Sequence, residues 1–143
     1  MYTGFSKRMK LLEQLINKKV GQVFEQSGVE TISYSSFSVL EYLELHQGQN
    51  VFQKDIEHAL SINRATASKM VKLLTQKGYI SQATYAQDAR YKLLFLTAAG
   101  RELYQADVQA AAKLDQFFNE VLAAEDFRAF DQIHDKLVRE LKK

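Results

Sequence analysis

The sequence of 143 residues predicts a mainly α chain with one small two-stranded β element. Three observations carry this. Apolar residues recur at steps of three and four over long stretches near both ends, the period of an amphipathic helix. Two short alternating segments, residues 79–85 and 91–96, flank a polar loop. Between residues 51 and 101 the order is short helix, turn, longer helix, strand, loop, strand. That order is a helix-turn-helix followed by a β-wing, with long helices on either side.

The N-terminal helix covers residues 5–26, with Phe5, Met9, Leu12, Ile16, Val20, Val23 and Phe24 on one face and Leu11 and Leu15 widening it. So wide a stripe predicts burial against more than one neighbour, a partner subunit included. Ser27-Gly28 stops it. Ser33 is the expected N-cap of a second helix, with Phe37, Leu40 and Leu43 inward and Val39, Tyr42 and Leu45 flanking. A polar loop over 46–50 and a short extended piece at Val51-Phe52 lead to a helix from Gln53, with Ile56, Ala59 and Leu60 on its inner side.

Ser61-Ile62-Asn63 is the turn. Asn63 caps a helix from Arg64 to Lys77, and Gly78 ends it. Thr97 caps a long helix through Leu122, and Glu125-Asp126 open a last one, two acids that suit the positive end of a helix dipole. The last stripe is Phe127, Phe130, Ile133 (or His134), Leu137, Val138 and Leu141. The whole reads as a single domain over 1–143, with a core lobe at 32–100 and a flanking helical region at 1–26 and 101–143.

Composition narrows the function. Without cysteine there is no disulfide, thiolate metal site, Cys nucleophile or cysteine redox sensor. No apolar run reaches the roughly 18 residues of a membrane span. The opening MYTGFSKRMKLLEQL mixes charge into its apolar positions, unlike a signal peptide, so a cytoplasmic protein without membrane contact is expected. No catalytic motif, cofactor loop or metal-ligand spacing is present, and an enzyme is not expected. His46 and His58, with Glu44 or Glu57, are the one group that a folded chain could draw together around a metal, and no metal site is assigned to them.

Charge is uneven. Residues 51–101 hold eight Lys or Arg and three acids, a net +5, while the remainder carries −3. That asymmetry is expected of a nucleic-acid footprint, although short segments also drift by a few charges. At 100° per residue, Ala67, Met70, Val71 and Leu74 face one side of helix 64–77. Ala65, Ser68, Lys69, Lys72 and Gln76 face the other, bordered by Arg64, Thr66, Leu73 and Thr75, and no acid interrupts them. An ordinary solvated helix usually mixes both signs; Lys, Ser, Thr and Gln suit a phosphate-lined groove. The candidate DNA contacts are Arg64, Ala65, Thr66, Ser68, Lys69 and Lys72, with Arg90 and Lys92 in the wing. An Arg at a hairpin tip can enter a narrow minor groove, and Asp88 can hold it by a fork-like pair. The same pair would also stiffen a turn that touches no DNA.

DIEHALSINRATASKMVKLLTQKGYI followed by DARYKLLFLTAAGREL resembles the winged helix-turn-helix core of the MarR family of bacterial transcription regulators. Asp88-x-Arg90 followed by a strand and Leu96-Thr97-x-x-Gly100 is the most specific part, and residues 32–40 are similar to the start of the family's second helix. The resemblance implies a homodimeric repressor on a pseudo-palindromic stretch of double-stranded DNA, with helix 64–77 in the major groove and Arg90 in the minor groove. It also implies a small-molecule effector, for which Phe24, Tyr34, Phe37, Tyr42 and Tyr104 are the candidate lining residues; for each of them an ordinary core aromatic is the favoured reading. Three positions depart from the family pattern. Gln82 stands where an Arg is frequent, Ala86-Gln87 replaces a Pro before the wing Asp, and Glu57 occupies a position often held by a small residue. Winged helices also serve as protein-binding modules, so a module without specific DNA binding is the alternative reading.

Overall fold

The computed structural model describes residues 4–28, 30 and 32–143. Residues 1–3 of the expected N-terminal region lie outside them. The order is α1 (Phe5–Ser27), α2 (Tyr34–Leu45), α3 (Gln53–Leu60), α4 (Arg64–Gln76), β1 (Ile80–Thr84), β2 (Lys92–Leu96), α5 (Ala98–Val121) and α6 (Ala124–Leu141). Every expected element forms, and the described strands are shorter than expected by a residue or two at their ends. The chain divides into two compact units, residues 21–110 and residues 1–20 with 111–143.

The unit of residues 21–110 is built on a core of Val39, Leu40 and Leu43 from α2, Ile56 from α3, Met70, Val71 and Leu74 from α4, Ile80 and Leu94 from the strands, and Leu103 from α5. Leu40, Ile56 and Leu74 are fully buried and each contributes roughly 2 kcal/mol of transfer free energy. The caps follow the local sequence. The Ser36 N–H donates to Ser33 Oγ at 3.1 Å, and the Thr66 N–H donates to Asn63 Oδ1 at 2.8 Å. At α3 the Asp55 carboxylate reaches back to accept the Phe52 N–H at 2.8 Å, so an N3 acid opens this helix without a capping side chain before it.

Between α3 and α4, Ser61 takes a left-handed conformation with φ of 53°. The Ile62 N–H closes α3 by donating to the Glu57 carbonyl at 3.1 Å, so the unusual residue at 57 sits under the turn with its backbone in use. Gly78 has φ of 79°, which a residue with a Cβ adopts only at a cost of about 1 kcal/mol, and it turns the chain from α4 into β1. The strands pair antiparallel from Ile80 opposite Leu96 to Thr84 opposite Lys92. Thr97 then ties three elements. Its Oγ1 donates to the Gly78 carbonyl at 2.6 Å and accepts the Gly100 N–H at 3.0 Å.

Two inner faces differ from expectation. In α2 the buried set is Ser36, Val39, Leu40 and Leu43, while Phe37 is half-buried and Leu45 exposed. The helix packs against both α3 and β2, which rotates its buried face toward Val39. In α3, Ala59 is exposed and Ile56 is the buried residue, with Leu60 partly buried against the core beside it.

The unit of residues 1–20 and 111–143 is apolar but open. Phe5, Met9, Leu11, Leu12 and Leu15 of α1 are exposed, as are Val121 and Leu122. In α6 no residue is buried, and Phe130 and Ile133 each stand 55% exposed. Phe117 and Phe118 meet edge-on at 5.4 Å, with Lys19 Nζ 4.5 Å from the Phe117 ring centre. Among the described residues no helix is long and apolar enough to cross a membrane.

Candidate nucleic-acid interface

The α4 helix divides as its sequence dictates. Ala67, Met70, Val71 and Leu74 are buried. Arg64, Ala65, Thr66, Ser68, Lys69 and Lys72 are all exposed, and they share the opposite side. Asn63 starts the helix where these residues begin, so the free backbone N–H groups of its first turn lie beside Arg64 and Ala65 and add positive potential there. Among the described residues, none of the recorded ion pairs involves Arg64, Lys69 or Lys72. Those three charges therefore have no carboxylate partner among the described residues.

The start of α4 is fixed to α3 by Gln53, whose Nε2 donates to the Arg64 carbonyl at 3.4 Å. Its other end is fixed twice. Gln82 Nε2 donates to Thr75 Oγ1 at 3.0 Å, and Thr75 in turn donates to the Val71 carbonyl at 2.6 Å. Gln82 thus replaces a charge by a stitch between the wing and α4. Lys77, the cap residue that follows the helix, pairs with Glu30 at 2.7 Å, and the Tyr79 hydroxyl also donates to Glu30. The Lys77 and then the Tyr79 hydrogen bond hold the Glu30 carboxyl below the usual carboxylate range, and Glu30 in turn pushes the Tyr79 hydroxyl up. This tether crosses 47 residues of sequence.

At the wing tip Arg90 Nη2 donates to Asp88 Oδ2 at 2.7 Å and Nε to Oδ1 at 3.0 Å. The Arg90 backbone N–H adds a third bond to Oδ1 at 3.1 Å. The hydrogen bonds from the Arg90 side chain, then that from its backbone, hold the Asp88 carboxyl below its ordinary range. The Arg90 side chain remains 83% exposed, so the fork orients the guanidinium without covering it. Lys92 is exposed at the first position of β2. The structure therefore places all eight candidate contacts in one unit, six on one helix face and two on the wing.

The five aromatics suggested as an effector lining do not converge. Phe37 stacks on Tyr104 at 5.5 Å, and Tyr42 stacks instead on His46 at 3.9 Å. Phe24 is half-buried near the end of α1, and Tyr34 is 85% exposed at the first position of α2, where its side chain points away from the buried stripe. A cavity of about 390 Å³ lies under the 46–50 loop, lined by His46, Gln47, Asn50, Leu94 and Arg101 among others, and by none of the five. His46 Nδ1 lies 2.7 Å from the Tyr42 carbonyl, Glu44 pairs with Arg101 at 3.1 Å, and His58 is exposed on α3. Among the described residues no group of three metal-ligating side chains forms.

One group has no sequence expectation behind it. Asp107 lies on the buried side of α5, between Leu103 and Ala110, and is 1% exposed. Among the described residues neither carboxylate oxygen has a hydrogen-bond partner. Burial, and secondarily the charge of Glu30, push its carboxyl up to about 6.

Comparison with known proteins agrees with this geometry. Residues 30–90 match the sequence profile described as the MarR family. An uncharacterized HTH-type transcriptional regulator, YdcH of Bacillus subtilis, is 30% identical over 111 residues, 77% of this chain and 75% of its own. Another, SAV2265 of Staphylococcus aureus, is 27% identical over 92% of this chain and 86% of its own. The crystal structure of the S. aureus MepR–DNA complex superposes with a TM-score of 0.82 at 26% identity, covering 96% of this chain and 98% of that one.

Proposed function

Because the chain belongs to the MarR family of transcriptional regulators, we propose that it acts as a homodimeric repressor on a pseudo-palindromic operator. It is a DNA-binding regulator and not an enzyme. The first turns of α4 enter the major groove, where Arg64, Ala65, Thr66, Ser68 and Lys69 meet base edges and phosphates and Lys72 lies against the backbone. Arg90, oriented by Asp88, enters the flanking minor groove, and Lys92 contacts phosphate beside it. The observation that carries this reading is the face of α4: six exposed residues, no acid, and three cations with no recorded carboxylate partner. The relative solved with DNA shares the fold over nearly the whole chain.

The homodimer is supported by the open apolar unit. Helices α1 and α6 carry stripes that a single chain leaves in water, and a second copy supplies the matching surface. The effector of this reading would bind beside Phe37 and Tyr104, a choice supported by the stacking of these two candidate rings at 5.5 Å. A protein of this kind works in the cytoplasm, beside its DNA.

Selection of bound fragments from the source genome tests the proposal. Enriched fragments sharing an inverted repeat, with half-sites about one helical turn apart and affinity falling steeply with added salt, are expected. Absence of any enriched duplex, together with retention of a protein partner, would replace it by the protein-binding module.

A further inference from the structure

The wing is buttressed by α3 as well as by α4. The Leu94 N–H donates to the Val51 carbonyl at 2.9 Å, so the segment before α3 adds one rung to the edge of β2. Phe52, the next residue, sets its ring edge-on to Tyr85 at 5.1 Å and 77° and to Tyr91 at 5.8 Å and 65°. Tyr85 and Tyr91 are the two residues that close the wing loop, the Tyr85 N–H donating to the Tyr91 carbonyl at 3.0 Å. Lys54, in the first turn of α3, brings its Nζ to 5.2 Å from the Tyr91 ring centre and 5.9 Å from that of Phe52. The Arg90 guanidinium lies 5.9 Å from the Tyr91 ring centre as well. One ring thus carries two cations from two different elements.

A two-stranded hairpin is marginal by itself in water, so the angle at which a wing stands depends on what braces its base. We propose that Phe52, Tyr85 and Tyr91 form a clamp that fixes the wing against α3, and that Lys54, seated on this clamp, contacts a DNA phosphate beside the minor groove entered by Arg90. The inference rests on the DNA-binding reading above. The clamp residues are positioning residues: they touch no DNA and act through Arg90. Lys54 suits a phosphate because it is exposed, and because its neighbour Asp55 is occupied with the Phe52 N–H. Its ammonium already stands over the Tyr91 ring, so less conformational freedom remains to be lost on binding.

The experiment uses the full-length protein and the operator recovered from genomic selection. Affinity is measured against salt for wild type, Lys54→Gln, Phe52→Leu and Phe52→Tyr, each with and without Arg90→Ala. Lys54→Gln is expected to reduce the slope of log affinity against log salt by about 1 per protomer and to weaken binding to matched and mismatched operators alike. Phe52→Leu is expected to keep the melting temperature within a few degrees yet abolish most of the additional loss caused by Arg90→Ala, as coupled positions do. Phe52→Tyr restores that loss. An unchanged salt slope in Lys54→Gln overturns the phosphate contact. A full Arg90→Ala loss in the Phe52→Leu background overturns the clamp. Should Phe52→Leu not fold, Tyr85→Leu enters the same cycle with the same two outcomes. A wild-type protein that binds no duplex at any salt overturns the DNA-binding reading itself, a result unlike either of the others.

Discussion

Replacing Asp107 by Asn should stabilise the protein more at alkaline than at acid pH. In the folded chain the carboxyl holds its proton up to about pH 6, whereas its ordinary value is 3.8. Between these values the native state binds more protons than the unfolded state, so stability falls as pH rises, and the full cost stands above the folded value. A shift of this size corresponds to about 3 kcal/mol for a group that is 1% exposed. Asn introduces a buried amide with a cost of its own, but that cost does not titrate. The difference in stabilisation between about pH 4.5 and pH 8 therefore isolates the carboxylate, and should be about 2 kcal/mol in favour of the variant at the higher pH. Urea unfolding of both proteins at a fixed protomer concentration measures it, since an assembling chain changes its midpoint with concentration. Glu30 and Tyr79 interact electrostatically with Asp107, so Glu30→Gln is the control background, in which the pH effect should shrink but keep its sign. A stabilisation equal at both pH values, or larger at the acid one, would show that Asp107 finds a proton or a cation the folded chain already supplies, and would refute the reasoning.

Three further outcomes are expected. Arg90→Ala should lower operator affinity roughly tenfold or more while leaving the melting temperature unchanged, because the side chain is 83% exposed and, among the described residues, its hydrogen bonds go to Asp88 two residues away; wild-type affinity in a gel-shift titration would contradict this. Removal of residues 125–143 should convert a dimer into monomer or aggregate, read by sedimentation velocity, and a truncated chain sedimenting as a stable dimer would place the interface elsewhere. Gly100→Ala should destabilise by about 2 kcal/mol or more in thermal unfolding, because the added methyl would fall on the Tyr79 carbonyl oxygen, which is itself bonded to the Thr97 N–H at 3.1 Å and has no freedom to withdraw.

What the sequence reveals here is largely local. Ser33, Asn63 and Gly78 announce helix ends because a cap is decided within three or four residues. The two sides of α4 follow from a spacing of three and four, and that spacing was sufficient to separate Met70 and Leu74 from Lys69 and Lys72. Relations across distance were not legible. Nothing around Glu30 indicates that it will meet Lys77 and Tyr79, and Gln82 reads as a lost charge until its amide is seen on Thr75. The Phe52 clamp falls between these cases: three aromatics at the ends of extended segments are visible in the sequence, but their meeting depends on how α3 approaches the wing. Asp107 carried a usable signal. Gly100, Leu103, Asp107 and Ala110 follow one another at steps of three and four, and a lone acid inside such a stripe is a residue that the fold will bury.

The absence of any buried residue in α6 has a consequence for how such a regulator responds to its own abundance. In the homodimer proposed above, a second chain would cover the apolar side of this helix, and its burial would be a bimolecular event. Where protomers are scarce relative to the dimer dissociation constant, the concentration of DNA-competent protein rises with the square of the total rather than in proportion to it. Occupancy of an operator then switches over a narrower range of expression than a monomer would allow.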